Sequence, residues 1–172
     1  MKKYLSLIAV SVLALGVNNA NAAESTGQGT ATATILAASG ISQTQELDFG
    51  NVLKTAAHDV VIDTEGKRSG NAAYLVGGGT PQEGKFTITG QDGQAIKISV
   101  PTTISLKNGS STLTVSNVTM KVGTGSEQAA ANSVAATISG TNLALAVGGT
   151  LKVTTDAVVG DYNGNYTVTI SY

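Results

Sequence analysis

Apolar and polar residues alternate with a period of two along much of this chain, the repeat of a half-buried β-strand. The pattern is clearest at the end, where Val168, Ile170 and Tyr172 fall on one face and Thr167, Thr169 and Ser171 on the other. A second clear run lies at 30–37. Thr30, Thr32 and Thr34 oppose Ala31, Ala33, Ile35 and Ala37 there. After a polar link comes Leu47-Asp48-Phe49-Gly50. Strands are then predicted over 60–63, 72–76, 85–89, 95–100, 104–106, 112–122, 134–139, 143–147, 151–154 and 166–172. Residues 126–136 are Ala-rich and lack long aliphatic side chains, which leaves a short helix, a loop and a weak strand open.

Turn signals separate these runs: Glu65-Gly66, Gly77-Gly78-Gly79, Asp92-Gly93, Asn108-Gly109, Gly148-Gly149 and Asn163-Gly164. Asn-Gly and Asp-Gly supply the positive φ angles of tight hairpin turns. Many short strands at such spacing predict an all-β sandwich or barrel. The last strand is expected to reach the final residue, with no tail left to cover its edge. An uncovered edge exposes unpaired backbone groups and favours pairing with another chain.

The first residues set the compartment. Lys2 and Lys3, an apolar run over 5–15 and Ala20-Asn21-Ala22 read as a secretory signal peptide, 1–22, cleaved after Ala22. A retained anchor is the weaker alternative. Residues 23–29 read as a flexible tail, and 30–172 as one β-sandwich domain. The expectation is export, with transit through the periplasm and a final place at the cell surface or outside the cell. Without Lys2 and Lys3 the mature chain holds eight basic and eleven acidic residues, a net charge of −3. Such a chain offers no basic stripe for nucleic acid and no polybasic patch for a membrane. No later apolar run approaches the ~20 residues of a spanning helix, so direct membrane insertion is not expected. With no cysteine, thiol catalysis and thiolate metal sites are excluded, and burial and backbone pairing must hold the fold.

Each candidate for chemistry has a simpler explanation. Gly79 to Lys85 matches the spacing of a phosphate loop, but Phe86 stands where Ser or Thr is needed, and a strand pattern follows instead of a helix. A Gly-rich turn entering a strand fits better. His58 is the only histidine; a zinc site would need carboxylates for every other ligand. Asp161-Tyr162-Asn163-Gly164-Asn165 and Asp63-Thr64-Glu65-Gly66 carry alternate oxygen ligands without a calcium loop's downstream Glu, and read as turns. Asn108, Asn117 and Asn165 begin glycosylation sequons of a kind that chance supplies in an Asn- and Thr-rich chain. No catalytic residue, metal or cofactor is expected, and the chain is read as not an enzyme.

Three stretches together resemble a known pattern: Leu47-Asp48-Phe49-Gly50-Asn51-Val52; Gly84 to Gly90 leading to Ile98-Ser99-Val100-Pro101; and Gly160 to Tyr172. The chain resembles a bacterial family known only as a domain of unknown function, number four-four-zero-two. The resemblance implies a relation to fimbrial subunits of the chaperone–usher type, to which that family is related, and the opening and closing segments are similar to those of archaic pilins and spore-coat-U-like domains. The resemblance implies an immunoglobulin-like (pilin-like) sandwich that one further strand completes. Residues 30–37 would be that donor strand, with Ala31, Ala33, Ile35 and Ala37 filling pockets of the next subunit. A periplasmic chaperone, acting with an outer-membrane usher, would first pair with the edge carrying Val168, Ile170 and Tyr172. Repeated insertion of this kind builds an open filament.

The expected function is a structural subunit of a fimbria or pilus-like surface fibre, with identical or related subunits as partners. The alternative is a monomeric secreted or surface-associated binding module. On that view residues 30–37 are simply the first strand of a self-contained sandwich.

Overall fold

The structure, a computed structural model, describes residues 26–35 and 38–172. The expected signal peptide, residues 23–25 of the tail, and Leu36 and Ala37 lie outside the described residues. Residues 26–35 form no strand and are exposed.

From Gly40 the chain is all β, with eleven strands and no helix among the described residues. They are β1 (Gly40–Gln45), β2 (His58–Ile62), β3 (Arg68–Gly70), β4 (Gly84–Thr89), β5 (Ala95–Ser99), β6 (Ile104–Asn108), β7 (Ser111–Val122), β8 (Gln128–Ala129), β9 (Val134–Thr137), β10 (Asn142–Val153) and β11 (Thr169–Ser171). β10 is the spine of the larger sheet. One of its edges pairs with β4 along its first half and with β2 along its second, while β7 follows the other edge. β1 adds outside β4, β3 outside β2, and β6 and β8 outside β7. The smaller sheet has the order β11-β5-β9, and every pairing in both sheets is antiparallel.

The inner faces meet in one core. The larger sheet supplies Val60, Ile62, Phe86, Ile88, Val115, Met120, Leu145 and Val147; the smaller supplies Ile96 and Ile98, with Val134 and Ile170 packed beside them. This is a β-sandwich, one of the two architectures that the alternation and turn spacing predicted. Phe86 and Ile88 on β4, and Ile96 and Ile98 on β5, keep the period-two phase, with Lys85 and Lys97 outward.

Gly148-Gly149, a turn signal in the sequence, lies inside β10. At this point β10 leaves β4 for β2, and β7 carries a bulge. Thr119 pairs with Gly148 and Ser116 with Thr150, so Asn117 and Val118 together oppose Gly149. Asn117 takes a φ of 46°, a left-handed conformation that Asn tolerates. The extra residue shifts the inward phase of β7 from Leu113 and Val115 to Val118 and Met120. A Cβ on Gly148 would strike the Ile62 carbonyl, and one on Gly149 the Val115 side chain. The two glycines permit close approach of backbones instead of reversing the chain.

Other elements differ from the pattern for local reasons. The polar link holds β1, because an edge strand needs one inward apolar residue, here Ile41, and its backbone ladder does the rest. Residues 72–76 are no strand; the chain turns from Asn71 to Tyr74, and Leu75 alone bridges to Val52. β3 went unread in the sequence because it is three residues long; it closes on β2 through Glu65-Gly66. There the Asp63 carboxylate accepts N–H bonds from Glu65 (2.9 Å) and Lys67 (2.8 Å). Asn163-Gly164 is not a turn. Asn163 and Lys107 exchange two backbone bonds of 2.8 and 3.0 Å, and Gly164 rests on the Ser105 carbonyl. Asn108-Gly109 does end a hairpin: Asn108 pairs with Ser111, and Gly109 takes a φ of 58° in the two-residue loop. The Ala-rich stretch resolves into β8 and β9.

The antiparallel registers define two ends. At the proximal end Gly40, Thr89 and Asn142 stand in line, the Ser39 hydroxyl donates to Gln94 Oε1 (3.1 Å), and β11 runs out to Tyr172 alongside the start of β5. At the distal end Val153 pairs with His58, and the 109–110 hairpin lies beside residues 154–160.

Candidate functional site

The two flanks of the sandwich are unequal. On one, β8 in the larger sheet passes within a few residues into β9 in the smaller, with Val100 N–H bonded to the Ala131 carbonyl between them (3.1 Å). On the other, β11 and β1 are both edge strands, each paired on one side only among the described residues. Tyr166 links them: its ring meets Phe86 of β4 edge to face at 5.8 Å, and its hydroxyl reaches Gly84 near Leu47. Ile41, Leu47, Tyr166, Val168 and Ile170 are only half-buried here, although they pack against the core.

The two edges are guarded differently. β1 carries a register shift between Gln43 and Gln45, and Ser42, Gln43 and Thr44 are exposed. Gln45 ties it to β4, donating to the Glu83 carbonyl (2.8 Å) and carboxylate (3.3 Å). Burial alone would raise the Glu83 carboxyl, but Lys85 at 2.9 Å, Gln45 and a backbone N–H hold it below its usual range. A bulge is a device that discourages further pairing, as charge and proline on an edge are. β11 has none of them: Thr169, Ile170 and Ser171 include no charge, no proline and no bulge.

The residues singled out from the sequence divide as follows. Val168 and Ile170 face the core, half-buried; Tyr172 leaves their row and is 75% exposed. The ladder covers Thr169–Ser171 only, so 166–168 approach it without pairing. Ala31, Ala33 and Ile35 are exposed, and Ala37 lies outside the described residues. His58 starts β2, half-buried, with its ring 4.4 Å from Tyr74 and Nδ1 against the Ala56 carbonyl (2.8 Å). Gly84-Lys85 enters β4, a strand. The Asp63 cluster serves its hairpin, and Thr64 N–H and hydroxyl both donate to Glu127 (2.8 and 2.7 Å).

Sequence reasoning missed Ile41 and the Gly84–Tyr166 contact. A Cβ on Gly84 would overlap the Tyr166 hydroxyl, so glycine there is what lets the tyrosine in. That hydroxyl is buried without a partner among the described residues, and burial pushes its pKa up to about 12. Nothing in the sequence pairs residues 82 positions apart.

Tyr162 contrasts with it. Its hydroxyl donates to the Val158 carbonyl (2.9 Å), accepts the Val158 N–H (2.9 Å) and lies 2.7 Å from Ser111 Oγ. A tyrosine bonded back to the backbone four residues upstream, where the chain crosses between sheets, resembles the tyrosine corner found in Greek-key sandwiches.

A family described as a domain of unknown function (DUF4402) matches the chain over residues 40–172. The match begins at the first residue of β1, so 30–37 stands ahead of it. No curated protein and no solved structure matches the chain.

Proposed function

We propose that this chain, which belongs to that family, is a structural subunit of a bacterial surface fibre assembled by donor-strand complementation. One observation carries the reading. β11 presents an unguarded edge beside half-buried Val168 and Ile170, on the flank where the sandwich is open. A strand laid along that edge pairs its backbone and deepens the burial of both side chains. Residues 30–37 of a neighbouring copy are the strand we assign to it. Their small alternating side chains suit shallow pockets, and residues 30–35 make no ladder of their own. The tyrosine corner supports an immunoglobulin-like topology, and the resemblance to fimbrial subunits supports the assembly route: export, capping of the β11 edge by a periplasmic chaperone, and transfer at an usher. The role is structural and not enzymatic.

Deletion of residues 23–37 is the test. The full mature chain is expected to form multimers, and the truncated chain to be unstable or aggregated unless a chaperone or an added peptide of residues 30–37 is present. A truncated chain that folds as a stable monomer alone removes the donor-strand reading. That result would favour a monomeric binding module, for which a shallow depression of about 490 Å³ beside Ala95, Ala135 and Tyr172 is the place to look.

A further inference from the structure

We infer that the two ends of the sandwich are the two halves of a contact between subunits: Leu53, Val158 and Val159 at the distal end of one copy seat against the proximal end of the next, around Tyr172. The inference rests on the fibre reading above and adds a second interface to the donated strand.

The distribution of exposed apolar side chains points there. Among the described residues the large exposed ones are Ile35, Leu53 (42%), Val158 (55%), Val159 (83%) and Tyr172 (75%). Val158 and Val159 lie in the distal corner, and Leu53 belongs to the segment leading to His58 at that same end. Its N–H bonds the carbonyl of Tyr74, whose ring meets His58. Tyr172 is at the proximal end, and Ile35 precedes Ser39 by four residues. The strands of both flanks contribute none. Scattered apolar residues need no explanation, but three gathered at the distal end, with Tyr172 alone at the proximal end and Ile35 on the donated strand, do.

The distal pair is also held rigid. The Tyr162 hydroxyl binds both backbone groups of Val158, and Asn108 Nδ2 donates to the Val159 carbonyl at 3.5 Å. A fixed corner presenting two valines loses little freedom on docking. Beside Tyr172 the outer face of the smaller sheet carries a depression of about 490 Å³, lined by Lys97 of β5 and Ala135 of β9, that could receive them.

Chain length identifies the occupant as a second copy. If residues 30–37 lie in a neighbour, only residues 38 and 39 join them to β1. From residue 37 to residue 40 the chain reaches at most about 10 Å. The accepting copy must therefore stand directly against the proximal end. Two different surfaces of one chain that fit each other make a heterologous contact, which repeats into an open filament.

The chain has no cysteine, so a pair introduced at these ends reports the contact cleanly. The double variant Val159→Cys, Tyr172→Cys changes two exposed side chains and leaves the core intact. Assembled from the full mature chain and oxidised, it is expected to give a ladder of disulfide-linked multimers that collapses on reduction. Each single variant should give none beyond background. Separately, Val158→Asp with Val159→Asp should lower the assembled fraction about tenfold or more at fixed concentration. Multimers that assemble normally but give no ladder overturn this contact and leave the fibre reading standing. Dimers from Val159→Cys alone would place distal ends together and overturn it as well. A chain that stays monomeric at every concentration overturns both.

Discussion

The distal corner and the open flank are each built around a tyrosine, and the two stand four residues apart on one segment. Tyr162 has its hydroxyl fully used, giving one bond and receiving others from Val158 and Ser111. Tyr166 buries its hydroxyl with no partner among the described residues, against a glycine that leaves just enough room. The same side chain is thus a fastener in one place and a wedge in the other. Satisfied buried polar groups stabilise modestly, whereas unsatisfied ones cost their full desolvation. The lesson concerns the flanks. The corner is finished by its own chain, while the open side tolerates half-buried apolar residues, an unpaired edge and an orphan hydroxyl. That is how a flank left open differs from one that the chain has closed.

The largest expected effect comes from Gly84→Ala, which puts a methyl where the Tyr166 hydroxyl sits. We expect a loss of about 2–3 kcal/mol in chemical denaturation, most of it recovered in the Gly84→Ala, Tyr166→Phe double variant. Equal losses in both backgrounds would mean that the hydroxyl is not the obstacle. Next is Tyr162→Phe, expected to cost about 1–2 kcal/mol by leaving Val158 and Ser111 without their shared partner. Smallest is Tyr166→Phe, which at pH 7 should be neutral or slightly stabilising, the opposite sign from its neighbour.

A pH titration sharpens the same contrast. The Tyr166 pKa is raised in the fold to about 12 from an ordinary 10. Between these values the unfolded chain loses the proton while the folded chain keeps it. Stability from this group is therefore complete below pH 10 and falls as the pH rises toward 12. Thermal melts of Tyr166→Phe should lack that alkaline decline relative to the wild type; an identical decline would assign it to other groups.

Much of the fold was readable before the structure. Period-two alternation marked β4, β5, β7, both halves of β10 and the region of β11, because a strand with one buried face must alternate whatever its neighbours are. Turn chemistry located the 65–66 and 109–110 reversals, because the positive φ at Gly66 and Gly109 favours glycine. Of the candidate site, Val168, Ile170 and Tyr172 were marked as one face; the first two share it and Tyr172 leaves it, and the edge they line is defined by what does not pair with it.

What the amino-acid order determined is therefore which residues turn inward, strand by strand. Tertiary structure alone decided that Gly148-Gly149 is a crossing of backbones and not a turn, that a polar run becomes β1, and that Tyr162 is bonded where Tyr166 is not. The reason is one of range. Alternation and turns are set by sterics between near neighbours in the chain, whereas a glycine's purpose, an edge's exposure and a hydroxyl's partner depend on groups brought together from far along it.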